Sequence, residues 1–140
     1  MTTLSHTIRR ETRGNDHIID LTDELQALVR ESGIECGQLM AMVTGSTGAL
    51  STLEYEPGLV GHDIAVALEE IAPRDGSYEH EKTWHDDNGH SHVRACLIGP
   101  SLALPIVDGS LPLGTWQQVV LLDFDTRPRS RSVAITLVGE

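Results

Sequence analysis

Apolar positions recur along the chain with two different periods, and each predicts a different kind of element. Residues 2–10 read as a short edge strand. In "HIIDLTDELQALVRESG", Leu21, Leu25, Leu28 and Val29 fall at i, i+4, i+7 and i+8, which is one face of a helix. Asp20 or Thr22 can cap its start, acids fill its first turn, and Gly33 can close it. "GQLMAMVTG" is a short apolar run ending in small residues and predicts a buried strand. "GSTGALSTLEYEPG", rich in Gly, Ser and Thr, follows. "LVGHDIAVALEEIAPRDG" then gives Val60, Ile64, Ala67, Leu68 and Ile71, a second helical stripe stopped by Pro73.

Beyond the polar stretch "YEHEKTWHDDNGHSH" the period drops to two. Val93, Ala95 and Leu97 alternate with His92, Arg94 and Cys96 in "SHVRACLIG", which predicts a strand. "SLALPIVDG" and "WQQVVLLDF" continue as strands, and "RSVAITLVGE" ends the chain with Val133, Ile135 and Leu137 on one face. "DTRPRSR" is a polar connection between the last two. Two main helices followed by at least four strands predict an α+β fold with a mixed, largely antiparallel sheet. No repeat or linker interrupts the pattern, so residues 1–140 read as a single domain.

Composition narrows the picture. A chain of 140 residues can bury one core without disulfides or metal. Aromatics are only 4%, so that core must be built from Leu, Val, Ile and Ala. The net charge of −11 repels nucleic-acid backbones and anionic membranes, so neither is expected as a partner. An anionic substrate would need a local cation, either a metal or clustered arginines. Cys36 and Cys96 are far apart, with no C-x-x-C, and read as reduced, buried thiols of a cytoplasmic protein. The N-terminal residues carry no signal-peptide run, and no stretch is long enough to span a membrane.

Candidate chemistry lies in three blocks. His80, His85, His90 and His92 sit among acids in the polar stretch. On a strand, His90 and His92 would share a face and could meet one ion, with His80 folding back to join them. Neutral imidazole suits zinc and other first-row divalent ions. The plain alternative is a solvated loop. In "TGSTG", Gly45 and Gly48 bracket Ser46 and Thr47, where backbone N–H groups could approach an anion or simply make a tight turn. Glu54 beyond it is a metal ligand, a general base or surface decoration. In "GTWQQ", Trp116 is expected in the core, and Gln117 either faces a ligand or satisfies backbone groups. Arg127, Arg129 and Arg131 form the one basic cluster, a solvated turn or a phosphate contact.

Three segments together, "GSTGALSTLEYEPGL", "YEHEKTWHDDNGHSHVRACLIGPS" and "LPIVDGSLPLGTWQQVVLLDFDTRPRSR", resemble the YjbQ-like family, often called secondary thiamine-phosphate synthase. The resemblance covers nearly the whole chain. It implies a compact domain assembling as a homotrimer around a small, phosphorylated ligand. It also implies coupling of hydroxymethylpyrimidine diphosphate to thiazole phosphate with release of pyrophosphate. The alternatives are a non-catalytic metal- or small-molecule-binding trimer, or a metal-assisted hydrolase.

Positions matching the family pattern are Glu54, His80, Asn88, His92, Gly99, Gly114, Trp116, Gln117 and Arg131. On this reading Glu54, His80, His92 and Gln117 would be catalytic, and Ser46, Thr47, Asn88, Trp116 and Arg131 would bind ligand. His80, His90 and His92 would hold a divalent metal such as zinc. The chain departs from the pattern at Gly45 and Leu53, where many members carry His and Asn.

Overall fold

A computed structural model describes residues 1–140. The chain runs β1 (Thr2–Thr12), β2 (His17–Asp20), α1 (Thr22–Ser32), β3 (Cys36–Val43) and β4 (Gly48–Leu53). A π-helical turn (Leu59–Asp63) leads into α2 (Ile64–Ile71), followed by α3 (Glu79–Trp84) and α4 (Gly89–Ile98). β5 (Ser101–Val107), β6 (Gln118–Asp123) and β7 (Arg129–Gly139) complete it. The strands form two sheets with every pairing antiparallel: β1-β7-β3-β5 and β2-β6-β4. The α+β class and the antiparallel sheet are as the sequence predicts.

Three layers follow from which faces are apolar. The four-stranded sheet turns Ile8, Leu39, Val43, Ile106, Val133 and Ile135 inward against Leu50, Val119 and Leu121 of the three-stranded sheet. α1 closes this core with Leu25 and Val29. The three-stranded sheet turns its other residues, Ala49, Val120 and Leu122, toward Leu68 of α2 and Ala95 of α4. β6 is therefore covered on both faces. That is why "VVLLDF" is a continuous apolar run rather than an alternating one.

α1 begins beside an Asp20 carboxylate that accepts the Thr22 N–H (2.9 Å), and Gly33 closes it at φ +69°. The outer face of the four-stranded sheet carries Met40, Met42, Ala103, Ala134 and Thr136 and no helix covers it. Its charges appear only at the Arg9 and Glu11 end of the edge strand β1.

Four expectations are corrected. "SHVRACLI" is helix α4, not a strand, so three strands rather than four follow the midpoint of the chain. Its buried face is His90, Ser91, Arg94 and Ala95, while Val93 and Leu97 are exposed. Helical spacing is present there, but polar residues carry it, so apolar periodicity alone pointed to the wrong period. "HIID" is strand β2 rather than the start of α1. Cys36 and Cys96 are free but exposed, not buried. Trp116 is 73% exposed rather than in the core.

Candidate functional site

The antiparallel β4–β6 ladder organises the site, because its register places Gly48 opposite Asp123 and Leu53 opposite Gln118. At the first end, the 45–47 loop, the turn after β6 and the start of β7 meet the start of α4. Gly45, Ser46, Thr47, Asn88, His92, Asp125, Arg129, Ser130 and Arg131 line a cavity of about 340 Å³ there. None of these residues is apolar. Ser46, Thr47, Asn88, His92 and Arg131 thus come together from three separate segments.

The floor is a buried ionic network. Arg131 donates from Nε to Asp123 Oδ2 (2.7 Å) and from Nη2 to Asp123 Oδ1 (2.8 Å) and to Thr47 Oγ1 (2.6 Å). Thr12 Oγ1 donates to Asp123 Oδ2 (2.5 Å). Asp125 receives Thr47 Oγ1 (3.0 Å), Arg129 Nε (2.8 Å) and Asn88 Nδ2 (3.4 Å). Gly45 has φ +119°, and a Cβ there would meet Arg131 Nη1 at 2.7 Å. The glycine that replaces the expected histidine therefore lets this loop pass directly over the guanidinium.

α3 and α4 supply the histidines. The His80 and His92 rings lie 4.4 Å apart between centroids. His80 Nδ1 is 3.2 Å from Asp86 Oδ1, and both atoms are buried without a hydrogen bond. His80, Glu81 and Asp86 offer ligand atoms within 4.8 Å of one another. Glu81 Oε1 also accepts the Gly89 N–H (2.5 Å), capping the first turn of α4. These orphaned atoms and the N/O donor set fit a divalent ion.

His90 does not share this cluster, which corrects the expected His80–His90–His92 metal set. Two residues along a helix turn by about 200° rather than returning to the same face. His90 instead packs 6.4 Å from the Tyr78 ring, with Nδ1 buried and unpartnered. Arg94 is not available to a ligand either: it is fully buried and bonded to Asp16, Glu69 and the Ala72 carbonyl.

Glu54, Trp116 and Gln117 sit at the other end of the ladder, roughly 20 Å away along β4. There Gln117 donates to Thr52 Oγ1 (3.0 Å) and accepts the Gly114 N–H (3.1 Å), which satisfies local groups. Within one chain they cannot join the first cluster. The site residues not singled out from the sequence are Asp86, Glu81, Asp125 and Ser130. The D-x-D of "DFDTRPRSR", two acids beside three arginines at a strand end, was the legible signal for Asp125.

The sequence profile of the UPF0047 protein YjbQ-like family matches residues 6–140. The chain belongs to this family. Among its relatives is a UPF0047 protein of Methanothermobacter thermautotrophicus, 37% identical over 88% of this chain and 83% of that protein. UPF0047 protein YjbQ of Escherichia coli O157:H7 is 31% identical over 96% and 95%. The crystal structure of a YbjQ-like protein of unknown function from Sulfolobus solfataricus superposes with a TM-score of 0.87 at 28% identity. That match covers 99% of this chain and 100% of that one. The relatives' names thus identify the YjbQ-like family without stating a reaction.

Protonation in this YjbQ-like site follows from its network. Burial pushes the Asp123 carboxyl up, but Arg131, Thr12 and the Asp125 N–H outweigh it and hold it below its ordinary 3.8. Burial likewise opposes, and Thr126 N–H, Thr47, Arg129 and Asn88 overcome, the same balance at Asp125. Burial and the neighbouring His80 lower His92 below 6.5, with Asp125 and Asp86 partly compensating. Burial and Arg94 lower His90, and burial and Arg13 lower His17.

All five shifts have the same consequence in acid. Below 6.5 the unfolded chain takes up protons on histidines that the folded chain keeps neutral. Below 3.8 it takes up protons on carboxylates that the folded chain keeps charged. Stability is therefore expected to fall in two stages as pH drops through these windows and to be fully present above them. Urea melts across the acid range would show it; a midpoint independent of pH from neutral to pH of about 3 would contradict it.

Proposed function

We propose that the polar cavity binds a small phosphorylated ligand, with a divalent ion held beside it by His80 and Asp86. The observation that carries this reading is the buried pair His80 Nδ1 and Asp86 Oδ1, 3.2 Å apart, neither hydrogen-bonded to any other group, next to a ligand-sized polar cavity. Two ligand atoms of one tetrahedral zinc, each about 2.0–2.1 Å from the ion, would stand roughly 3.3 Å apart. His92 or the second oxygen of Glu81 would add a further donor.

Charge supports the need for an ion. The charge of Arg131 is matched by Asp123, and that of Arg129 by Asp125. The cavity is thus nearly neutral within a chain of net charge −11, and a phosphate dianion requires more positive charge than it supplies. When bound, the ion would supply that charge as a Lewis acid. Arg129 is the exposed guanidinium at the rim and would contact the ligand directly. The Ser46 hydroxyl and the loop backbone offer further donors. Where Glu81 rather than His92 completes the metal set, His92, with its pKa lowered, is neutral near pH 7 and suited to accepting a proton from a ligand hydroxyl or water.

The expected result is about one zinc-like ion per purified, untagged chain, with His80→Ala weakening its binding by more than the roughly 10–100-fold that loss of even an outer-shell partner brings. Elemental analysis checks this. Metal absent from the wild type would remove the metal reading and leave the histidines as acid–base or ligand-binding groups. Hydrolysis of small phosphate esters that stops with EDTA would make the protein a hydrolase. Metal without turnover would make it a binding protein.

A second reading is favoured by Trp84, which lies at i+4 from His80 on α3 and is exposed. It offers a platform for a planar ring, which thiamine-phosphate synthase coupling requires for its pyrimidine. Pyrophosphate release above background from hydroxymethylpyrimidine diphosphate and thiazole phosphate would support this; background release would remove it. Glu54, Trp116 and Gln117 could serve either reaction only from a neighbouring subunit. Assembly as a trimer is supported by the outer face of the four-stranded sheet, which no helix covers and which is charged only at its Arg9 and Glu11 end. Sedimentation as a monomer at micromolar concentration would overturn it.

A further inference from the structure

A second cavity, about 610 Å³, opens on the far side of the turn that carries Asp125. Its size falls in the range of small-molecule sites. It shares no lining residue with the candidate site. One wall is the corner between β1 and β2, where Gly14, Asn15 and Asp16 adopt left-handed φ of +69°, +50° and +66° in succession. The corner is pinned: the Asn15 N–H donates to the Asp125 carbonyl (2.6 Å), and a Cβ on Gly14 would come within 2.6 Å of the Arg127 carbonyl. The opposite wall is the π-helical turn, whose approach is fixed by the Glu56 carboxylate accepting the Gly58 and Leu59 N–H groups (both 2.8 Å). π-helical turns are rare and occur often at functional sites.

The lining has two characters. Ile18, Tyr55, Val60 and Ala65 form an apolar side. The Tyr55 hydroxyl is committed to the Ile18 carbonyl (3.1 Å), so the residue presents its ring rather than a free polar group. Arg13 and His17 form the other side, and neither has a carboxylate partner. The Arg13 N–H donates to His17 Nδ1 (3.1 Å), so a neutral ring must carry its proton on Nε2, where it is a donor. Burial and the Arg13 charge keep the ring neutral by lowering its pKa. Asp16 is the one acid in the lining. Arg94 takes both of its oxygens (2.9 and 3.0 Å), and Arg74 approaches at 3.5 Å.

We propose that this cavity is a second ligand site, taking a small monoanionic carboxylate with an apolar body. The carboxylate lies on Arg13 and His17, and the body packs against Ile18, Tyr55 and Val60. One guanidinium and one neutral imidazole donor balance a single charge and match the planar fork of a carboxylate. A dianion would be left half-compensated in a chain of net charge −11. The inference stands apart from the metal reading, since the two cavities share no residue.

The test is an amide NMR titration of the full chain with benzoate, acetate and benzyl alcohol, each up to millimolar concentration. Benzoate should shift Gly14–Ile18 and Tyr55–Gly61 saturably. Arg13→Gln should weaken it about tenfold, the worth of one charge-assisted hydrogen bond. Gly61→Leu should block it, because a side chain there enters open space lining the cavity. Arg13→Gln alters only an exposed side chain and carries the test alone should Gly61→Leu fail to fold. Absence of saturable shifts, unchanged affinity in Arg13→Gln, or equal binding of benzyl alcohol would overturn the proposal. Tighter binding of inorganic phosphate than of benzoate would overturn the assignment to carboxylates.

Discussion

Replacing Arg131 with Met is expected to destabilise the chain by about 3–5 kcal/mol. The guanidinium is 7% exposed and its partner Asp123 is wholly buried, so removing the arginine strands a carboxylate that water cannot reach. Thr12 and the Asp125 N–H still bond to Asp123, but neither carries a compensating charge. The sign of the pH effect gives a second handle. Without Arg131 the Asp123 carboxyl titrates at higher pH, and protonation relieves the stranded charge. The deficit relative to wild type should therefore shrink as the medium is acidified. Adding Asp123→Leu should restore part of the loss, because the desolvation penalty then disappears from both sides. Urea unfolding of the three variants at neutral and acid pH measures all of this. A single variant within about 1 kcal/mol of wild type would mean that the network contributes far less than a buried pair of this geometry should.

Arg94→Met tests the other buried guanidinium, and its expected cost is about 2–4 kcal/mol, somewhat below the full buried-pair range. Arg94 stitches α4 to the end of α2 through the Ala72 carbonyl and to the β1–β2 corner through Asp16. Loss of the arginine leaves both acceptors short of donors while Asp16 stays 9% exposed. Glu69, its third partner, is half exposed and returns to water, so little of the cost comes from that contact. Arg94 touches none of the residues lining the polar cavity. Metal content per folded chain should therefore remain unchanged, whereas Arg131→Met should disturb the cavity as well as the fold. Denaturant melts paired with elemental analysis separate the two; loss of metal in Arg94→Met at full folding would show that α4 depends on this clip to place His92.

The strands whose apolar residues alternate, β5 and β7, were legible because one face meets the core and the other does not. α1 and α2 were legible for the same reason at the longer period. α4 was not, since its buried face consists of His90, Ser91 and Arg94. A residue such as Arg94 is inside only because Asp16, distant in sequence, is there to receive it, and no local window contains that information. The first-end cluster was partly legible: Ser46, Thr47, Asn88, His92 and Arg131 do converge. His90 was misplaced by the assumption of a strand. Glu54, Trp116 and Gln117 belong to motifs as clear as the others, but the antiparallel register of β4 and β6 carries them to the far end. Asp86 as the partner of His80 depends on the left-handed turn at His85, φ +55°, which brings the chain back after α3.

The bare outer face of the four-stranded sheet has a consequence for handling the protein. Copies carrying a net charge of −11 repel each other over the whole distance of approach, and this face, charged only at its Arg9 and Glu11 end, acts only at contact. Dissolved salt shortens the range of that repulsion to about 8–10 Å at ordinary ionic strength. Self-association through this face should thus strengthen as salt is added, the reverse of a contact made by ion pairs. Dilute buffer is the condition in which separated chains would be found.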